Sequence, residues 1–177
     1  MCRASGKTEE PLAIPVITLP PALREHYLQS LSTTASVLAD LFSSARRSLR
    51  ILAPYVDPTF TGLVAAVRAP VEVLTTPAPG RPPRPNPVLE RCSSHCDLKV
   101  RYLNERRDRV LIFQMHAKAI IADGERAYVG SANLTDTSVN YNLELGLLVD
   151  DSEVVASLTR LFDYLFQHVA VPPSRLS

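Results

Sequence analysis

Apolar residues return at helical spacing from Ser30 to Arg47, where Leu31, Ala35, Leu38, Leu41, Phe42 and Ala45 fall on one face. That spacing predicts an amphipathic helix, with Arg46 and Arg47 completing its C-terminus. The short apolar run Leu49 to Tyr55 reads as a strand stopped by Pro54. Thr59 to Arg68 reads as a second helix and Val71 to Thr75 as a second strand. Residues 77–87, PAPGRPPRPNP, are too rich in proline for a helix or a central strand, so they form an exposed loop. Beyond it, Val88 to Cys96 predicts a short helix, Leu98 to Leu103 a strand and Asn104 to Arg109 a polar loop. Val110 to Ala122 is mainly strand, Asp123-Gly124 is a hairpin turn signal, and Ala127 to Val129 is the return strand. Leu143 to Val149 is a further strand. Ser152 to His168 is a closing helix with Val154, Val155, Leu158, Leu161, Phe162 and Leu165 on one face. The alternation of helix and strand predicts an α/β domain. Residues 1–22 read as an irregular arm and 23–177 as a single domain, with no internal repeat.

At 177 residues the chain is one domain with a core of its own. A net charge of +1 gives no global field that would draw it to nucleic acid or anionic lipid, so any anion must be held by a local site. The longest uncharged run near the start, Pro11 to Leu23, is too short and proline-rich to span a bilayer. Glu9 and Glu10 interrupt any secretory signal, so the expected location is cytoplasmic, with no membrane partner. Three cysteines, Cys2, Cys92 and Cys96, are an odd number and are expected to be reduced. Cationic charge is almost all arginine; the bias toward arginine, alanine and proline suggests a GC-rich bacterial genome. It also makes each lysine more informative.

The segment that carries chemistry is residues 115–146, MHAKAIIADGERAYVGSANLTDTSVNYNLELG. It holds His116-x-Lys118-x4-Asp123, then Gly130-Ser131-x-Asn133, then Asn142-x-Glu144. In a strand, residues two apart share a face, so His116 and Lys118 project together. A two-residue Asp123-Gly124 turn pairs Ala122 with Glu125 and puts Ser131 opposite His116; a turn shifted by one residue puts Asn133 there. Either way a hairpin gathers an imidazole, an ammonium, a hydroxyl and an amide on one face. That set suits a phosphate: one positive charge, neutral donors and a nucleophilic nitrogen.

These residues resemble the HKD motif of the phospholipase D superfamily, including its trailing Gly-Ser-x-Asn and Asn-x-Glu. The resemblance implies a phospholipase D-like α/β fold, a mixed β-sheet flanked by helices, and phosphodiester cleavage without metal or cofactor. His116 would attack phosphorus and form a phosphohistidine. Lys118 and Asn133, helped by Ser131, would stabilise the equatorial oxygens. Glu144 is the family-like carboxylate that would orient the histidine, and Asp123 would organise the site. The family uses a second HKD histidine as general acid, and this chain has one motif only; His26, His95 and His168 lack the lysine and aspartate. The resemblance therefore implies a homodimer with one active site at the two-fold axis, as in single-motif bacterial nucleases of the superfamily.

Two weaker signals accompany the motif. Cys92-x2-His95-Cys96 is not a standard zinc spacing, and no metal site is expected. Residues 81–109 are locally basic, and Arg101, Arg106, Arg107 and Arg109 are candidates to hold a nucleic-acid backbone. The expected function is a metal-independent nuclease, with DNA the favoured substrate. A phospholipase D-type lipid phosphodiesterase is the alternative, and an apolar surface beside His116 would raise it. A second alternative is a catalytically silent DNA-binding or assembly subunit of a larger, phage-defence-like complex, with the arm as its docking segment.

Overall fold

A computed structural model describes residues 12–24, 31–80, 83–94, 96–107 and 110–176, with the backbone alone for 104–107 and 110–112. In chain order the elements are β1 (Ala13–Thr18), α1 (Pro21–Arg24), β2 (Ser32–Thr33), α2 (Thr34–Ser44), β3 (Leu49–Leu52), α3 (Thr59–Val64) and β4 (Val71–Thr75). There follow α4 (Pro87–Ser93), β5 (Leu98–Tyr102), β6 (Asn104–Arg107), β7 (Val110–Gln114), β8 (Ala119–Ala122), β9 (Arg126–Gly130), α5 (Asp136–Asn140), β10 (Glu144–Val149) and α6 (Ser152–Tyr164). Eight strands form one sheet in the order β2-β1-β10-β9-β8-β3-β4-β5, and β6 and β7 form a separate ribbon. β3, β4 and β5 run parallel, whereas β8, β9, β10 and β1 alternate antiparallel, so the sheet is mixed.

The helices α2 and α6 lie on opposite faces, each turning one apolar stripe inward. Thr33 caps α2 by accepting a hydrogen bond from the Ser36 amide, and Val37, Leu38, Leu41 and Phe42 turn inward at three- and four-residue spacing. They pack with Val16, Ile51, Val73, Leu89 and Tyr128 in one core layer. On the other face Val155 and Phe162 of α6 pack with Leu52, Leu74, Ile121 and Ala127. Asp151 caps α6 by accepting from the Glu153 and Val154 amides.

Three sequence expectations need correction. The described part of the arm is not irregular: residues 13–18 are β1, paired antiparallel with β10 from Ala13–Val149 to Thr18–Glu144. Pro15 is tolerated because β1 is nearly an edge, covered on its outer side only by the two-residue β2. The polar loop expected at 104–109 begins as β6, paired antiparallel with β7, so backbone pairing with a later segment makes a strand where the sequence carries no apolar alternation; residues 108 and 109 lie outside the described residues. The long strand expected over 110–122 is two strands, divided at Met115–Lys118 where the chain passes from the ribbon to the main sheet.

The hairpin register falls between the two expected ones. Ala122 pairs with Arg126, so the loop has three residues, Asp123, Gly124 and Glu125. Asp123 and Gly124 are both left-handed, with φ of 58° and 71°. A non-glycine residue rarely holds that conformation, but here the Asp123 carboxylate accepts hydrogen bonds from the backbone amides of Arg46, Arg47 and Ser48 at 2.7–3.1 Å. Continuing the register places Ala132 opposite His116, with Ser131 and Asn133 on either side.

Candidate active site

Because β9 runs antiparallel to both of its neighbours, β8 and β10, the start of β8, the end of β9 and the start of β10 meet at one end of the sheet. The segments there are Met115–Lys118, Ser131–Asn133 and Asn142–Glu144. Lys118 is buried, and its Nζ lies 3.0 Å from Nδ1 and 3.3 Å from Nε2 of His116, so the ammonium sits over the imidazole. It also donates to the His116 carbonyl at 2.9 Å. Burial lowers the Lys118 pKa from its ordinary value, and the Glu144 carboxylate partly opposes that shift. His116 itself is exposed to solvent.

Glu144 is buried, and its two oxygens are held by different partners. Ser131 Oγ donates to Oε2, and Asn142 Nδ2 donates to Oε1 at 3.1 Å. Ser131 is held in turn by β10: its amide donates to the Leu145 carbonyl at 3.0 Å, and its hydroxyl accepts from the Leu145 amide at 3.1 Å. Asn133 Oδ1 is buried at the same end of the hairpin without a hydrogen-bond partner among the described residues. The imidazole, ammonium, hydroxyl and carboxylate thus converge within one chain, with Glu144 tied to Ser131 rather than to its own His116.

Asp123 lies at the opposite end of the hairpin, roughly 20 Å along the strand from His116. Burial raises its pKa, but the Ser48, Arg47 and Arg46 amides and the Arg47 guanidinium outweigh that, so the net shift is downward. It ties the hairpin to the α2–β3 connection rather than touching the cleft. Arg101 is engaged elsewhere: its guanidinium lies 5.0 Å above the Phe166 ring and donates to the Ala170 carbonyl at 3.4 Å. Arg106 and Arg107 are on β6 and Arg109 lies outside the described residues, as do Cys2 and His95. Cys96 Sγ lies 3.0 Å from the Cys92 carbonyl oxygen, and no cluster of three or more metal-ligating side chains occurs among the described residues.

A cleft of about 370 Å³ opens beside His116, Lys118 and Ser131. Its walls are mostly apolar, from Leu52, Val129, Leu158, Leu161 and Phe162. This apolar lining was not legible from the motif. It arises because α6 lies over β3, β8 and β9, while Leu145 and Leu147 of β10 stay exposed among the described residues. No helix among the described residues is long and apolar enough to cross a membrane.

Comparisons with known proteins agree with this architecture. The family model for the phospholipase D-like domain of cardiolipin synthase matches residues 38–166. A search of curated proteins finds no match. Among solved structures, NucT from Helicobacter pylori superposes with a TM-score of 0.69 at 18% identity, over 90% of this chain and 99% of that one. Nuc from Salmonella typhimurium, a phospholipase D family member, gives 0.62 at 15% identity over 90% and 97%. Phosphatidylserine synthase from Haemophilus influenzae gives 0.63 at 18% identity, over 93% of this chain but 41% of the synthase. These likenesses show a shared fold, and with the family match over 38–166 they establish that the chain belongs to the phospholipase D superfamily.

Proposed function

We propose that the protein is a metal-independent phosphodiesterase acting on nucleic acid, DNA above all, at a site completed by a second copy of the chain. The observation that carries this reading is the contact of Lys118 with the solvent-facing His116, beside the Ser131–Glu144 pair. The imidazole attacks phosphorus in line, and a P–N bond forms as the P–O bond to the leaving group breaks. Lys118 and Asn133, with Ser131, stabilise charge on the equatorial oxygens. The leaving oxygen departs on the far side and takes a proton there. This chain has one HKD histidine, so His116 of the partner subunit supplies that proton. The same group then takes a proton from the water that cleaves the P–N bond, which returns both histidines to their starting states. Asp123 acts at a distance, by fixing the hairpin.

The surface beside the cleft supports a second copy. Val129, Leu143, Leu145, Leu147 and Leu161 are large apolar residues left exposed there. Arg106 and Arg107 of β6, together with Arg109, precede His116 in the chain and would hold the nucleic-acid backbone. Arg101 would add little, given its contacts with Phe166 and Ala170.

The apolar walls of the cleft favour one other reading, a lipid phosphodiester whose acyl chains lie along Leu158 and Leu161. The test is an assay in EDTA with labelled single-stranded DNA, double-stranded DNA, RNA and phosphatidylcholine. Cleavage of nucleic acid that persists in EDTA is expected. Cleavage of phosphatidylcholine alone would replace the nucleic-acid reading with the lipid one, and activity lost in EDTA would overturn the mechanism.

A further inference from the structure

Tyr128 is buried to 1% exposure in the middle of β9 and was not marked by the motif. Its ring lies across the cross-strand pair Gly130–Gly146. A Cβ on Gly130 would stand 2.7 Å from Tyr128 Cζ and 2.8 Å from Gly146 Cα. A Cβ on Gly146 would stand 2.5 Å from Tyr128 Cε2 and 2.8 Å from its hydroxyl. Neither glycine has a positive φ, so space, not backbone freedom, requires the missing side chains. The ring fills the volume that two side chains would otherwise occupy, and β9 and β10 close over it.

The next step along both strands is the candidate active site. Gly130 precedes Ser131, and Gly146 follows Glu144 and Leu145. Immediately beyond the glycine pair, Ser131 is joined to Leu145 by two hydrogen bonds and to Glu144 by a third. The Tyr128 hydroxyl, the atom that a Cβ on Gly130 would meet first, also lies beside the Thr34 hydroxyl, buried in the first turn of α2, and beside the Ala132 backbone. The two hydroxyls do not close a hydrogen bond of good geometry. The ring, held by shape between α2 and the glycine pair, is therefore the rigid support beneath the Ser131–Glu144 link.

We infer that Tyr128 is a positioning residue: its ring, seated on Gly130 and Gly146, sets the separation at which Ser131 and Glu144 meet. This rests on the phosphodiesterase reading only for its catalytic consequence; the effect on the Ser131–Leu145 pairing follows from packing alone.

The test compares Tyr128→Phe, Tyr128→Leu, Gly146→Ala and the double variant Tyr128→Leu/Gly146→Ala. Amide hydrogen exchange reads the pairing, and cleavage of bis(p-nitrophenyl) phosphate in EDTA reads the chemistry. In Tyr128→Leu the Ser131 and Leu145 amides should exchange about tenfold faster, with the β3 and β4 amides within about twofold of wild type. Its kcat should fall about tenfold with KM within about threefold, because the lost positioning acts on the bound state. Tyr128→Phe keeps the ring and should restore both readouts to within about threefold. Gly146→Ala should resemble Tyr128→Leu in the wild-type background yet add little to it, since the leucine removes the ring that the new methyl would strike. If Tyr128→Leu does not fold, Gly146→Ala supplies both readouts from the other side of the contact. Unchanged local exchange, exchange accelerated equally throughout the sheet, or a full additive loss in the double variant would each overturn the inference. If the wild-type protein does not cleave the probe in EDTA, the phosphodiesterase reading fails alone and the exchange measurements still decide the role of Tyr128.

Discussion

On β10, Gly146 turns inward beneath Tyr128 and α2, while its neighbours Leu145 and Leu147 point the other way and remain 62% and 46% exposed. The inner face is closed by helices whose leucines and phenylalanines leave little room for change. On the outer face α6 packs over β3, β8 and β9 among the described residues. Strand alternation puts Glu144, Gly146 and Leu148 on one face of β10 and Leu145 and Leu147 on the other, and among the described residues the first face is the one covered. The uncovered side adjoins His116 and Ser131, and in the mechanism we propose a second copy supplies the general acid there. A second copy seated there would bury the leucines and bring in the missing histidine.

That contrast can be broken at several points. The largest effect is expected at the chemistry: His116→Ala should lower EDTA-resistant cleavage by about a thousandfold or more, with melting temperature and oligomeric state retained. On the inner face, Leu38→Ala should cost about 3 kcal/mol of stability in denaturant unfolding and leave the oligomeric state unchanged. On the outer face the pattern should invert. Leu145→Arg/Leu147→Arg should sediment as a monomer and lose about a hundredfold in activity, with stability within about 0.5 kcal/mol of wild type per substitution. Equal activity from that monomer would remove the case for a shared site.

Smaller effects separate the two ends of the β8–β9 hairpin. Asp123→Ala should cost about 2 kcal/mol, because three backbone amides lose a charged acceptor. The sign with pH follows from its lowered folded-state pKa. The stabilisation is fully present above the unfolded value of about 3.9 and is lost as the pH falls through the lower, folded value. Acid unfolding curves of wild type and Asp123→Asn should therefore converge below about pH 4. The smallest effect belongs to the basic run that includes the ribbon's Arg106 and Arg107: replacing Arg106, Arg107 and Arg109 together should flatten the salt dependence of DNA binding by a slope of about 2 to 3. An unchanged slope would take the ribbon out of the interface.

Much of the fold is legible in the chain because burial writes a period into it. Leu38, Leu41 and Phe42 mark α2, and the apolar runs mark β3, β4 and β10. What escaped was set by neighbours distant in sequence. β1 is hidden by Pro15, which is harmless only because β2 barely covers it. The three-residue turn depends on amides of Arg46–Ser48, whose side chains carry no signal of that role. His116 and Lys118 are placed together by their spacing, and Glu144 is marked only by the resemblance. The pairing of Glu144 with Ser131, the apolar cleft and the support from Tyr128 arise from space and register, which no residue type announces.

The most direct test of the shared site is the cleavage rate per chain in EDTA, measured across protein concentrations that span dimer dissociation by sedimentation. The rate should follow the dimer fraction and fall toward zero as chains become monomeric. The same rate from chains that sediment as monomers would contradict a site built from two copies.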